Sequence, residues 1–391
     1  MAGRLPLEGV RVLDLSRLLP GPFATLVLAD LGADVVKVED PAGGDGLRLV
    51  PPLAGEQSGA FHALNRNKRS LALDLKAPGG AAAFLRLARG ADVVVESFRP
   101  GVLDRLGAGW AALHAANPRL VLCSITGYGQ DGPYAGRAGH DLDYAALAGL
   151  LALNGPPERP APLAAPVADV AGGAWPAVAG VLAALVARGR DGEGTRVDVS
   201  MAEGTLALLA MPLAMAWARG APLERGREVL TGGLAAYGVY RTRDGRWVAL
   251  AALEPKFFAA FCQAVGRPEL AVRQYEEGGG PRAELEAIFA GRTRDEWAAF
   301  AAAHDVCLAP VLEGDEPRRD PHLVARRAVA EVPTPWEGRA LPGVASPVRL
   351  EGAEPPRRPA PRLGEHGEAV LREHGFSATE IAALRASGAL G

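Results

Sequence analysis

The stretch VRVLDLSRLLPGPFATLVLADLGADVVKVE, Val10 to Glu39, decides the fold. Its two ends, Val10–Leu15 and Ala33–Glu39, are short and almost continuously apolar, the pattern of strands buried on both faces. Between them Phe23–Leu31 has helical spacing, Pro20-Gly21-Pro22 reads as a turn, and Gly32 ends the helix. A strand–helix–strand unit of this kind implies a parallel sheet. Glu39 stands where a dinucleotide-binding fold carries its ribose-binding acid. The first turn lacks GxGxxG, however, and Gly21 is nearly alone there, which argues against a nicotinamide site.

Outward from this unit the alternation continues. After a Gly- and Pro-rich loop (Pro41–Gly59), NRNKRSLALDLK (Asn65–Lys76) gathers Arg66, Lys68 and Arg69 just before a strand, Leu71–Leu75. Such a cluster is either a solvated charged turn or a site for phosphate groups. A helix over Gly79–Arg89 and strands over Asp92–Glu96 and Leu120–Ile125 follow. Arg99 lies just past the C-terminal end of a strand, where α/β sheets receive ligands. Arg196–Val199 reads as a further strand, and Ala202–Ala218 as an apolar helix that Pro212 can interrupt.

Composition then shifts. Tyr237–Arg241 and Arg246–Leu253 form a hairpin around Arg243-Asp244-Gly245, and Glu254-Pro255 opens a helix running to Val265. Thr293 and Glu296 cap a helix over Asp295–Ala303, and Val306–Leu312 is a strand. The expected architecture is α/β: a large Rossmann-like domain with a parallel sheet (1–224) and a smaller α+β domain (225–325). A Pro- and Arg-rich C-terminal segment (326–391) returns to the large domain, with strand-like Val348–Leu350 and a last helix capped by Ser377 and Glu380.

The chain's 391 residues suit two domains, and 49% hydrophobic with 22% charged residues excludes a disordered chain. A net charge of −3 gives no electrostatic reason to expect nucleic acid or an anionic membrane as partner. Cys123, Cys262 and Cys307 lack metal or redox spacing and read as buried free thiols in a reducing compartment. The N-terminus has no apolar signal-like core, and the apolar run Thr205–Ala218 is too short to span a bilayer, so a soluble cytoplasmic protein is expected.

Two helix starts carry the candidate chemistry. Gly139-His140-Asp141 precedes the periodic apolar run Leu142, Tyr144, Ala145, Leu147, Ala148 and Leu151. A helix N-terminus disfavours a cation, so a histidine there is a competent general base, and it is equally an ordinary capping residue. Asp169 precedes Val170-Ala171-Gly172-Gly173 and a long apolar helix. It reads as an N-cap, or as a functional carboxylate whose two glycines let a ligand approach the backbone. Glu254 is the third candidate, with an exposed carboxylate before a helix as its plain alternative. Met201, Met211, Met215 and Trp217 read as a packed core helix, with an adaptable apolar acyl site as the alternative.

The ordered blocks LEGVRVLDLSRLLPGPFATLVLADLGADVVKVEDPAGGD, NRNKRSLALDLK, ESFRPGVLDRLG, SITGYGQDGPYAGRAGHDLDY, GEGTRVDVSMAEG and LGEHGEAVLREHGFSATEI together resemble the family III coenzyme A transferases. That group includes the α-methylacyl-CoA racemases, and the resemblance covers nearly the whole chain. It implies an interlocked homodimer with the active site between large and small domains. In the transferases an aspartate at the position of Asp169 is the covalent nucleophile. The racemases keep it as an acid/base and add a His in a GHD block and a Glu in a block like LEPKFF; both are present, as His140 and Glu254. The resemblance therefore implies a 2-methylacyl-CoA racemase. His140 serves one face of the α-carbon with Glu254 holding its ring, Asp169 serves the other, and Asp141 supports the site. Arg66, Lys68, Arg69 and Arg99 take the CoA phosphates, the helix N-termini stabilise the enolate, and no cofactor beyond the substrate's own CoA is needed. A CoA transferase working through covalent Asp169 and a non-catalytic acyl-CoA binder are the rival readings.

Overall fold

The computed structural model describes residues 5–276, 280–336 and 340–391. They divide into two compact units. The first comprises Met1–Ala148, Ala165–Leu208 and His322–Gly391, and the second Gly149–Ala164 and Leu209–Pro321. The second unit thus starts upstream of residue 225 and takes in a separate piece of chain, which no shift in local composition announces.

The first unit is built on six parallel strands: β1 (Arg11–Asp14), β2 (Asp34–Glu39), β3 (Arg69–Ala72), β4 (Val93–Glu96), β5 (Val121–Thr126) and β6 (Arg196–Ser200). Their order is β3-β2-β1-β4-β5-β6, so the winding reverses between β1 and β4. In an open α/β sheet the crevice at such a reversal, beyond the strand C-termini, is where ligands bind. Apart from the edge strand β6, the strands are buried almost throughout, which explains their continuous apolar runs. One core joins Leu13, Val36, Leu71, Phe84, Val94 and Leu122 to Val370, Leu371, Ile381 and Leu384 of the C-terminal helices, so the end of the chain closes the same layer that its start opens.

Three local expectations are corrected. Pro20-Gly21-Pro22 is the first turn of helix α1 (Pro20–Asp30), because a proline at N1 has no N–H to leave unsatisfied. Gly21 is required by packing: a Cβ there would lie 2.1 Å from Cβ of Ser16. The strand expected over Leu71–Leu75 is β3, two residues earlier, and Leu73 instead bridges to Leu390. The apolar segment breaks at Leu209, ahead of Pro212, since the proline ring excludes the carbonyl four residues before it.

Asp169 lies on a continuous helical stretch. A π-helical turn, Ala168–Ala174, runs into a 17-residue α-helix, Trp175–Asp191. The combined Ala168–Asp191 is long and apolar enough to cross a membrane, with mean hydropathy 1.8. Here it packs on β5, β6 and α1, where Trp175 meets Phe23 edge-on at 5.9 Å between centroids.

The second unit has a three-stranded antiparallel sheet, β7 (Tyr237–Arg241), β8 (Trp247–Ala251) and β9 (Leu308–Pro310), with β8 central. Its core is aromatic: Phe289 stacks on Tyr240 at 4.7 Å and on Phe261 at 5.4 Å, and Trp297 lies against it. The capping box of Thr293 and Glu296 is present. In the C-terminal segment the structure adds a hairpin, Val329–Pro333 with Ala340–Val344, while Leu350 makes only an isolated bridge to Ala353. Cys123 and Cys262 are buried, but Cys307 is exposed, on a loop residue with φ 51°.

Candidate functional site

His140 and Asp169 both belong to the first unit, and Asp141 connects them. His140 is the extended residue preceding a short helix, Asp141–Leu147, where it forms a capping box with Asp143. Its backbone N–H donates to the Asp143 carboxylate at 2.9 Å, and its imidazole is exposed. The next residue, Asp141, accepts the backbone N–H of Asp169 at 2.9 Å. This bond crosses 28 positions of sequence and ties the π turn to the histidine.

Asp169 is not an N-cap. It sits in the first turn of the π segment, and single π turns concentrate at functional sites because they re-aim one side chain. Burial pushes its carboxyl up to about 6; the Asp141 charge adds to the rise and His140 opposes it. A carboxyl poised there exchanges protons readily near neutrality. The adjoining glycines have a different purpose from the one expected. A Cβ on Gly172 would lie 2.5 Å from Oγ1 of Thr205 and 2.7 Å from the Met201 carbonyl oxygen, and one on Gly173 would meet Cγ of Met201 at 2.7 Å. They let the π turn lie against the helix Met201–Leu208.

Aromatic residues that the sequence did not assign to the site complete the surroundings. Tyr144 donates its hydroxyl to the Gly139 carbonyl at 2.5 Å and so fixes the residue before His140. Burial and the Asp169 charge push its phenol up to about 12, so it stays protonated. Tyr128 packs edge-on against it at 5.2 Å. The signal was available: Tyr144 stands four residues after His140, on the next helical turn.

At the crevice between β1 and β4, the Arg17 guanidinium lies 5.2 Å from the Phe98 ring centroid and its backbone N–H donates to Oγ of Ser97 at 3.1 Å. Arg17 and Arg99 are exposed and have no carboxylate partner among the described residues. Glu96, at the end of β4, is buried, and burial pushes its carboxyl up to about 7 despite hydrogen bonds from Ser124 and the Phe98 N–H. With Arg99, Asp104, Gln130 and Arg196 it lines a polar cavity of about 60 Å3.

The basic cluster is corrected. Lys68 is fully buried; its ammonium group contacts Asp14 at 3.1 Å, Thr25 at 2.7 Å, Asn65 at 2.9 Å and the Pro22 carbonyl at 2.9 Å. Such a group has no donor left for a phosphate. Arg66 is paired with Asp30 at 2.5 Å, and Arg69 with Asp34 and with Glu373 at 2.8 Å. The cations brace the strand ends from within. Burial opposes ionisation of Asp14, yet Lys68 and Lys37 hold its carboxyl down at about 2.

Glu254 belongs to the second unit, exposed at the N-terminus of the helix Pro255–Ala264, with its carboxylate near Cys307. That unit also holds an apolar cavity of about 200 Å3 lined by Leu150, Leu153, Leu209, Met211, Met215 and Leu230. Met211, Met215 and Trp217 are 56, 54 and 75% exposed, which corrects the expectation of a packed core helix; of the four residues only Met201 is buried.

Known proteins resemble the chain over nearly its whole length. Residues 7–367 match CoA-transferase family III. The chain is 37% identical to the α-methylacyl-CoA racemase of Mus musculus over 97% of its own length and 96% of that protein. It is 36% identical to the acetyl-CoA:oxalate CoA-transferase of Acetobacter aceti, over 96% and 97%. A crystal structure of a CaiB/BaiF family protein from Brucella suis superposes with a TM-score of 0.81 at 33% identity, covering 95% of this chain and all of that one. The chain belongs to CoA-transferase family III.

Proposed function

We propose that the protein is an acyl-CoA racemase that interconverts (R)- and (S)-2-methylacyl-CoA thioesters by transferring the α-proton through a planar enolate. The observation that carries this reading is the tethered pair: an exposed imidazole on His140 and a carboxyl poised near 6 on Asp169, held through Asp141. A thioester acidifies its α-hydrogen, and inversion of that carbon needs one group to remove the proton and another to deliver one from the opposite face. His140 serves one face and Asp169 the other, with Glu254 as the third member of the set. Arg99 and Arg17 are the cations available to the CoA phosphates. The exposed Met211, Met215 and Trp217 support the homodimer that the family resemblance implies, which light scattering would test.

The similar identity to transferases supports a second reading, CoA transfer through a covalent Asp169 intermediate. One experiment separates the two. The protein is incubated with a single stereoisomer of a 2-methylacyl-CoA in D2O without any acceptor acid. Deuterium gain at the α-carbon with loss of chirality is the expected result. No exchange, followed by CoA transfer once a carboxylate is added, would establish the transferase instead.

A further inference from the structure

The turn between β1 and α1 is held in an unfavourable shape by two buried charges. Leu18 has φ 62°, the left-handed region that a leucine rarely adopts. Its side chain is 45% exposed, so burial of the leucine does not offset the strain. The conformation is imposed from below. Both Asp45 oxygens accept the Leu18 N–H, at 3.0 and 3.2 Å, and Oδ1 also accepts that of Leu47 at 3.0 Å. Lys37 donates to the Ser16 carbonyl at 2.8 Å and pairs with Asp45 at 3.0 Å, both side chains being wholly buried. The two ends of the turn are therefore clamped by one ion pair. Burial opposes ionisation of Asp45, but Lys37 and the two backbone donors outweigh it and hold its carboxyl below the ordinary range.

Strain of this kind persists where a surface must keep a particular shape. The turn lies at the reversal of strand order, and its shape sets Arg17 over Phe98, the residue before Arg99. An exposed cation over an aromatic ring, with a second, Arg99, next to that ring in sequence, suits phosphates attached to a flat base. We propose that the Lys37–Asp45 pair is a positioning device that holds the β1–α1 turn in its left-handed form for the nucleotide end of a CoA thioester. This rests on the acyl-CoA reading above, and neither residue touches the reacting carbon.

The test uses free coenzyme A as a calorimetric probe, together with steady-state turnover of a 2-methylacyl-CoA and of the matching acyl-pantetheine thioester, which lacks the nucleotide. Four variants are compared. Asp45→Ala removes the acceptor, while Lys37 keeps Asp14 and Glu39 nearby. Asp45→Asn retains an acceptor oxygen for the Leu18 N–H. Leu18→Val puts a β-branched residue at positive φ on an exposed position, which leaves the core untouched; Leu18→Gly accepts that φ without strain. Asp45→Ala and Leu18→Val are expected to weaken CoA binding by about tenfold or more and to raise KM for the CoA thioester, with kcat and the pantetheine substrate unchanged. Asp45→Asn and Leu18→Gly are expected to bind CoA within about threefold of the parent by the same scale. If Leu18→Val binds CoA as the parent does, or if any variant loses both substrates equally, the positioning role is wrong. A parent protein that fails to bind CoA overturns the acyl-CoA reading itself, and the proposal with it.

Discussion

Asp141 accepts the backbone N–H of Asp169 at 2.9 Å, so the residue next to His140 fixes the start of the turn that carries the second proton-transfer group. The same carboxylate is also a like charge that helps to raise Asp169. Geometry and electrostatics are thus set by one side chain, and substitution separates them. Asp141→Asn keeps an acceptor oxygen and removes the charge. The limb of the pH–rate profile belonging to Asp169 is expected to move to lower pH, with peak exchange within about tenfold of the parent. Asp141→Ala also removes the acceptor and should reduce peak exchange by about 100-fold, since small displacements of a catalytic group have effects of that size. α-Deuterium exchange followed from pH 4.5 to 8.5 distinguishes the two.

Asp169 also links function to stability. Its folded-state carboxyl titrates at about 6 against an ordinary 3.8, so the folded protein holds this proton more tightly than the unfolded chain does. Ionisation therefore opposes folding. The penalty is absent below about 4, grows between about 4 and 6 and is complete above about 6. Asp169→Asn should raise stability at pH 8 by about 1 kcal/mol, a value discounted for partial exposure, and change it little at pH 4. Denaturant midpoints at the two pH values provide the check, while α-exchange is expected to be lost from the isomer whose proton faces Asp169.

A two-face mechanism also predicts asymmetry. His140→Ala should reduce deuterium exchange from one stereoisomer by about 100-fold or more, while the isomer whose proton faces Asp169 retains wash-in of label. Equal residual exchange from the two isomers would contradict the assignment of one residue to each face. Mass spectrometry of each isomer after a short incubation gives the ratio directly.

The parallel sheet was legible in Val10–Glu39 because strands buried on both faces leave an unbroken apolar run. The second unit's capping box at Thr293 and Glu296 was legible because its signal is local. What the sequence concealed depends on distant partners. Lys68 looks like a solvated cation until Asp14, 54 positions away, is placed against it. Gly172 looks like an opening for a ligand until the carbonyl of Met201 occupies that space. Likewise Asp169 looks like a cap because the apolar run starts just after it, whereas the π turn begins one residue before it. Period and capping are near-neighbour properties; burial of a charge and close approach of two helices are not.

The interior role of Lys68 gives a clear expectation. Lys68→Met removes one partner of a fully buried pair and leaves Asp14 with Lys37 alone among its ammonium partners. A loss of about 3 kcal/mol in unfolding free energy is expected, as for other broken buried pairs. At a temperature where the variant remains folded, KM for the CoA thioester should stay within about twofold of the parent, because no Lys68 donor is free for a phosphate. Were Lys68 a phosphate ligand, KM would rise steeply while stability hardly changed.

Gly172 tests whether the π turn needs its close contact with the helix Met201–Leu208. An alanine there would place Cβ 2.5 Å from Oγ1 of Thr205 and 2.7 Å from the Met201 carbonyl oxygen. The hydroxyl is already committed to that same carbonyl at 2.7 Å, so neither neighbour can turn aside without breaking a buried hydrogen bond. The two segments must separate, at a cost of about 2 kcal/mol typical of overpacked cores. Asp169 lies three residues earlier on the turn, so the displacement reaches its carboxylate as well. Gly172→Ala should therefore lower kcat for exchange by about tenfold under conditions where it is fully folded. Thr205→Ala removes the hydroxyl and the γ-methyl but leaves the Met201 carbonyl in place, so Gly172→Ala combined with it should recover less than half of the lost stability. Complete recovery in the double variant would show that the side chain, and not the approach of the two backbones, sets the contact.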